Sequence, residues 1–370
     1  MIDAKAYLNA CLGKVLEMKG QDLFLKVGTV PRTRCGGIVI PMPLEPVKEE
    51  DAKGIVKSLL NPVQWEWLEK NRSVDFAFSL IGTRQRFRGN VFLQQGMYSL
   101  VIRTLWKTIP SFEELHIPPI LQKIALERSG IILIAGAVSS GKTTTITAML
   151  DMMNRNVERH IITVEDPVEY LHQDNKCIIN QREIGQDAND FRSALHYVVR
   201  QSPDVVVIGE MRDAETFNFA LVGAEVGRLV ISTVHARSVT QMFDRVLGFF
   251  PPSERDTVLS QLYPNITCFA VQKLLVAKDG TTLVPVFEIM VGNYTTRQLV
   301  KEKKFDKIPQ ALRNAYQEGM QTMDQSILKL WKAGLISTET ALAASERPQE
   351  VEIEMKGIQI DGRKSKILGT

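Results

Sequence analysis

Gly136, Gly141, Lys142 and Thr143 stand at the spacing G-x-x-x-x-G-K-[ST] in the stretch "GAVSSGKTTT". That spacing builds a phosphate-binding loop. Glycines let backbone N–H groups converge on a phosphate chain, the lysine reaches the β- and γ-phosphates, and the following hydroxyl holds Mg²⁺. The binding set is read as Gly136, Ala137, Val138, Ser139, Ser140, Gly141, Lys142, Thr143 and Thr144, with ATP and Mg²⁺ as the expected cofactors. The loop leaves open what the energy of the triphosphate drives.

Further polar groups stand where apolar runs end. "ITVEDPVEY" carries Glu165 and Asp166, "DVVVIGEMRD" carries Glu210, and "LVISTVHARS" carries His235. In an open α/β sheet these positions are the carboxyl ends of strands, where ligands bind. Glu165, ahead of Asp166, is a candidate to orient and activate the attacking water. Glu210 is a candidate to reach Mg²⁺ through water, which makes Thr143 and Glu210 the metal side. His235 is a candidate sensor of the γ-phosphate. Each has a plainer alternative: a solvated acidic turn before Pro167, a surface ion pair of Glu210 with Arg212, and a satisfied core histidine. Arg84, Arg86 and Arg88 alternate in "TRQRFRGN" and share one face if the segment is a strand; Arg103 follows on the next. They read as a solvated basic face, or as arginines that stabilise phosphate charge from another domain.

The elements that must position these groups follow from hydrophobic patterning. "IILIA", "IITV", "VVVIG" and "LVIST" are short, nearly continuous apolar runs with helix-like stretches between them. This is the pattern of a parallel sheet covered on both faces. "IILIA" ends at the first loop glycine and "KTTTITAMLDMM" opens a helix, the context that a phosphate loop requires. "FAVQKLLVAKDGTTLVPVFEIM" reads as two strands joined at Asp279-Gly280. The first hundred residues mix helices and strands, with Pro62 suited to a helix start and "IGTR" to a turn. "WKTIPSFEELHIPP" reads as a linker and hinge. The expected division is an N-terminal domain over 1–104, a linker over 105–119, an α/β core over 120–292, a helical region over 293–346 and a disordered tail over 347–370.

Composition excludes several classes. At 370 residues the chain suits two domains. A net charge of +3 opposes general nucleic-acid binding, and with it a nucleic-acid translocase. Cys11, Cys35, Cys177 and Cys268 lie far apart with no Cys-x-x-Cys, so neither a zinc site nor a redox pair is indicated. Such scattered thiols suit a reducing compartment. The N-terminus lacks the charge and apolar run of a signal peptide, and no window approaches a membrane span. A cytoplasmic protein is expected, with membrane contact only through a partner.

With these motifs in order, the chain resembles the secretion-ATPase superfamily, and within it the PilT/PilU branch of hexameric motors that retract type IV pili. The resemblance covers about residues 3 to 345. "DLFLKVGTVPRTRCGG" is similar to the family's PAS-like entry, and "RFRGNVF" to its arginine strand. "ITVEDPVEY" resembles the Asp box, with Glu165 at the catalytic glutamate. "DVVVIGEMRDAET" resembles the atypical Walker B ending at Glu210, and "ISTVHA" the His box through His235. "GMQTMDQSI" resembles the retraction branch in particular. The implied fold is a RecA-like P-loop ATPase domain preceded by a smaller α+β PAS-like domain. The implied activity is ATP hydrolysis in a homo-hexamer, attached to the inner membrane through a pilus platform protein, with a paralogous retraction ATPase as a possible partner.

The chain departs from the family in places. Ala137, Val138, Ser139 and Thr143 differ from the usual GPTGSGKS loop, the earlier His-box histidine is Arg228, and the C-terminal AIRNLIRE signature reads "TTRQLVKE", keeping its arginine as Arg297. These leave open an accessory, PilU-like or regulatory paralogue with weak turnover of its own. Pilus-assembly and type II secretion ATPases share the boxes, but usually carry longer N-terminal regions and a four-cysteine zinc module.

Overall fold

A computed structural model describes residues 4–80, 85–105 and 108–357, without the side chain of Gln317. Arg84, the expected turn at 81–84 and Trp106 lie outside the described residues. The chain divides into two compact units. The first takes residues 1–109 with 165–173 and 181–190; the second takes 110–164, 174–180 and 191 onward.

The first unit opens with α1 (Ala4–Glu17), whose Tyr7, Leu8, Cys11, Leu12 and Val15 recur at helical spacing and are buried. It continues through β1 (Asp22–Lys26), β2 (Arg32–Cys35), β3 (Ile38–Pro41), α2 (Glu49–Leu59), α3 (Pro62–Asn71), β4 (Ser73–Ser79), β5 (Arg86–Gln94) and β6 (Met97–Thr104). Pro62 does start a helix, behind a reciprocal cap between Asn61 and Gln64. The strands form one antiparallel sheet in the order β3-β2-β1-β6-β5-β4. Its core includes Leu23, Leu25, Phe87, Val91, Leu100 and Ile102 packed with α1 and α2.

The second unit begins inside the segment expected to be a linker. Phe112 and Ile117 are buried in its core, so 110–119 is anchored structure leading into α4 (Pro119–Ala125). Next come β7 (Gly130–Ala135), α5 (Lys142–Asn156), β8 (His160–Glu165), β9 (Ile178–Glu183), α6 (Phe191–Val198), β10 (Val205–Ile208), α7 (Ala214–Glu225) and β11 (Leu229–Val234). They are followed by α8 (Val239–Leu247), α9 (Arg255–Asn265), β12 (Ile266–Val276) and β13 (Leu283–Val291). The sheet order is β13-β12-β7-β11-β10-β8-β9. From β12 to β8 the pairing is parallel, and β12–β13 is the expected hairpin. β7, β10 and β11 are buried along their whole length, which explains their unbroken apolar runs.

Helices α10 (Tyr294–Lys301), α11 (Ile308–Asn314), α12 (Met323–Lys332) and α13 (Thr338–Ala344) fill the region expected to be helical. Arg297 in α10 donates to the Ile266 carbonyl at the start of β12. The expected disordered tail is corrected in part. Pro348–Met355 forms α14, seated by buried Val351 and by the pairing of Glu350 with Arg313 and Arg347. A single apolar anchor among charged residues gives little periodic signal. The four cysteines are free thiols, and no helix among the described residues is long and apolar enough to cross a membrane.

One core carboxyl makes this unit sensitive to pH. Glu288 on β13 is 4% exposed and accepts the Val239 N–H at the start of α8. Burial pushes its pKa up to about 7; the Val239 N–H and Lys273 pull it down, while Glu346 and Asp324 push it up. A folded pKa above the unfolded value means the folded state holds the proton more tightly. The stability this contributes is full below the unfolded pKa and is lost as pH rises toward 7. Glu288→Gln keeps the acceptor and removes the ionisation. Thermal unfolding at pH 5 and pH 8 should show the wild type losing ground to the variant by up to about 3 kcal/mol, at ~1.4 kcal/mol per pKa unit. Parallel pH profiles would show that the Glu288 pKa does not differ between the folded and unfolded protein.

Candidate nucleotide site

The second unit builds a phosphate loop from the buried strand β7. At Gly136 the chain turns against β12, and a Cβ there would collide with the Gln272 carbonyl oxygen and the Ser140 hydroxyl. Gly141 has φ +84°, in the left-handed region, and a Cβ on it would lie 2.9 Å from Gln272 Nε2. Both glycines are thus required, one for close approach and one for backbone conformation. Gly141 is the N-cap of α5, so the first-turn N–H groups and the positive end of the helix face out of the loop. Ala137, Val138 and Ser139 form the exposed rim, and Thr143 and Thr144 stand half-buried in the first turn of α5.

Lys142 Nζ donates to the carbonyls of Gly136 (3.1 Å) and Ala137 (2.8 Å). Burial lowers its pKa, against a smaller raising effect from Glu210. The Ser140 hydroxyl is buried and has no hydrogen-bond partner among the described residues. A hydroxyl in that position, a glycine cradle, a helix N-terminus and a lysine together fit the phosphate chain of a nucleotide.

Glu210 and His235 join this loop. His235 Nε2 lies 3.0 Å from Glu210 Oε1, and its Nδ1 lies 3.2 Å from the Gly136 carbonyl. The two ring nitrogens of His235 thus bridge the Glu210 carboxylate and the loop backbone. Arg212 takes the other Glu210 oxygen at 2.7 Å. Glu210 is therefore both the partner of Arg212, as in the plainer reading, and a neighbour of the loop through His235. Arg228, where the family has its earlier histidine, precedes the amino end of β11, whereas His235 follows the carboxyl end.

The remaining expected residues belong to the first unit. Glu165 Oε1 accepts from Gln181 Nε2 at 3.2 Å, and the same amide group donates to the Tyr170 carbonyl. Gln181 Oε1 accepts the His172 N–H, so one side chain organises the segment that follows Glu165.

Arg86, expected either as a catalytic cation or as part of a solvated basic face, is buried, which overturns the solvated-face reading for this residue. Its guanidinium donates to the Val168 carbonyl (3.1 and 3.2 Å) and pairs with Glu183, which also accepts the Val168 N–H. Strand alternation gave its face but not the 165–173 and 181–190 segments that cover it. Arg103 donates to Asp22 at 2.8 Å and remains 66% exposed. Arg88 is exposed and lies opposite Arg103 across the β5–β6 ladder. Burial raises the pKa of Glu169, and both arginines lower it.

Sequence reasoning missed Gln272. Its signal was a polar residue inside the apolar run "FAVQKLL" of a buried strand; it is 2% exposed and touches the loop at several points.

A family model described as Type II/IV secretion system protein matches residues 97–278. The chain is 34% identical over 342 residues to the type IV pilus ATPase PilU of Pseudomonas aeruginosa, covering 92% of this chain and 89% of that protein. It is 39% identical over 322 residues to a twitching motility protein of Neisseria gonorrhoeae, covering 87% and 85%. The chain belongs to the PilT/PilU family of secretion ATPases. The crystal structure of the pilus retraction motor PilT with bound ADP superimposes with a TM-score of 0.85 at 35% identity, covering 92% of this chain and 97% of that one. The Legionella pneumophila ATPase DotB shares the fold, with a TM-score of 0.80 at 22% identity. The mixed α/β fold with its parallel sheet is thus that of this ATPase family.

The two roles now separated within the arginine strand can be measured. Arg86→Ala should lower the unfolding free energy by about 3–5 kcal/mol, since it leaves Glu183 buried without its partner. Arg88→Ala, at an exposed position, should stay within about 0.5 kcal/mol of wild type. Denaturant unfolding of both variants checks this; equal stability of Arg86→Ala and wild type would remove the clamp.

Proposed function

We propose that this chain is an ATP-hydrolysing motor that withdraws type IV pili and so powers twitching motility. The observation that carries this is the joined constellation of the Gly136–Thr143 loop, Glu210 and His235, in a chain that matches a retraction motor over nearly its whole length. Bound ATP would supply the phosphoryl group, and Mg²⁺ would offset the charge on its phosphates. Lys142 binds the β- and γ-phosphates. Thr143 would hold Mg²⁺ directly and Glu210 through water, in keeping with a cation that retains several waters. Glu165 orients and deprotonates the attacking water. His235 keeps Glu210 and the loop in one arrangement. Arg88 and Arg103 remain the arginines available to stabilise charge on the transferred group.

The working form is a homo-hexamer in the cytoplasm, held at the inner membrane by the pilus platform protein. A second reading, an accessory paralogue with weak turnover, has a specific support. Identity to P. aeruginosa PilU is 34% and to its retraction ATPase PilT 35%, so likeness does not separate the two. The assembly or secretion reading is weaker: a type II secretion protein E of that organism is 30% identical, with this chain spanning 55% of it.

Turnover by the purified oligomer separates motor from accessory subunit. Lys142→Ala should abolish hydrolysis and weaken ATP binding. Glu165→Gln should bind ATP normally and turn over at least ~10²-fold more slowly, the usual worth of a general base. Equal rates for wild type and Glu165→Gln would sink the base assignment. A wild-type oligomer that binds ATP without turnover would favour the accessory reading.

A further inference from the structure

Gln272 is an amide in the middle of an apolar strand. Burying such a group without partners costs about 1–3 kcal/mol by mutational measures, so its contacts are informative. Its Oε1 accepts the Thr145 hydroxyl at 2.9 Å, and Thr145, in the first turn of α5, is itself 2% exposed. Its Nε2 lies 2.9 Å from the Cβ position of Gly141, and its backbone oxygen closes off the Cβ position of Gly136. One residue therefore borders the first loop glycine, the last loop glycine and the start of the helix.

The strand beneath is held rigidly. Val271 pairs with Ala135, the last residue of β7, and Gln272 pairs with Phe287 on β13. The Phe287 backbone is pinned in turn: its N–H donates to Ser326 Oγ and its carbonyl accepts from Gln321 Nε2, each at 3.0 Å. Leu274, two residues on, packs 3.7 Å from the Gly141 Cβ position. β12 thus forms a floor beneath the loop, and the Gln272–Thr145 hydrogen bond ties it to α5.

We propose that Gln272 is a positioning residue for nucleotide binding. It acts through Thr145 and the loop backbone, fixing the start of α5 against the end of β7 so that the loop N–H groups converge. This rests on the reading of the loop as the nucleotide site. Without the tie, the binding-competent loop is one conformation among several, and the apparent affinity falls by its fractional population.

The test is titration of the full-length protein with a fluorescent ADP derivative, alongside thermal unfolding without nucleotide. Thr145→Val, an isostere lacking the hydroxyl, should raise Kd about tenfold, which corresponds to ~1.4 kcal/mol. Thr145→Ser, which keeps the hydroxyl, should bind as wild type does. Gln272→Met should match Thr145→Val, and the double variant should be no weaker than either single, because one contact is lost only once. Steady-state hydrolysis should show the loss in KM, with kcat recovered at saturating ATP. Unchanged affinity in Thr145→Val, or additive losses in the double variant, would overturn the proposal. If Gln272→Met does not fold, the Thr145 pair decides alone. Lys142→Ala separates the two levels. Its loss of affinity beside an unaffected Thr145→Val removes only the positioning role, whereas unchanged affinity in Lys142→Ala removes the nucleotide site itself.

Discussion

The absence of room at Gly136 is the constraint on which the nucleotide site depends. β7 is apolar and fully buried, so it must leave the sheet at its carboxyl end, against the β12 backbone and Ser140. No side chain fits there. Turning at that point is what lets α5 begin a few residues later with its free N–H groups and its positive end at the mouth of the loop. A phosphate chain carries several negative charges within a few ångströms. Fixed backbone dipoles and one partly desolvated lysine would meet such charge without having to reorganise.

The polar groups at the neighbouring strand ends form one network with this loop. His235 touches the Gly136 carbonyl with one ring nitrogen and Glu210 with the other. A displacement of the loop is therefore felt at Glu210, and the converse. Arg212 holds the second carboxylate oxygen of Glu210 and so orients the carboxylate.

Within the first unit, Arg86 does comparable work by different means. Its guanidinium gathers the Val168 carbonyl and the Glu183 carboxylate, and Glu183 returns to the Val168 N–H. A planar fork with fixed donors suits this task, and lysine would not replace it. The segment after Glu165 is organised by this clamp together with Gln181. Arg88, two residues along the same strand, is exposed.

The phosphate loop, the buried parallel strands, the β12–β13 hairpin and the strand-end positions of Glu165, Glu210 and His235 were legible in the sequence, because each rests on local spacing. A glycine pattern, a run of apolar residues or a helix start is set by neighbours within a few positions. What lay beyond that range was decided by tertiary structure. Arg86 meets Glu183 across 97 positions, and Gln272 meets Thr145 across 127. The anchoring of 110–119 and of α14 likewise depends on single buried side chains, Phe112, Ile117 and Val351, whose partners are remote in the chain. Periodicity states which face of an element a side chain occupies. Only the folded chain brings up the surface that covers that face, and so determines whether an arginine or a glutamine there is solvated, buried as a brace, or left to act.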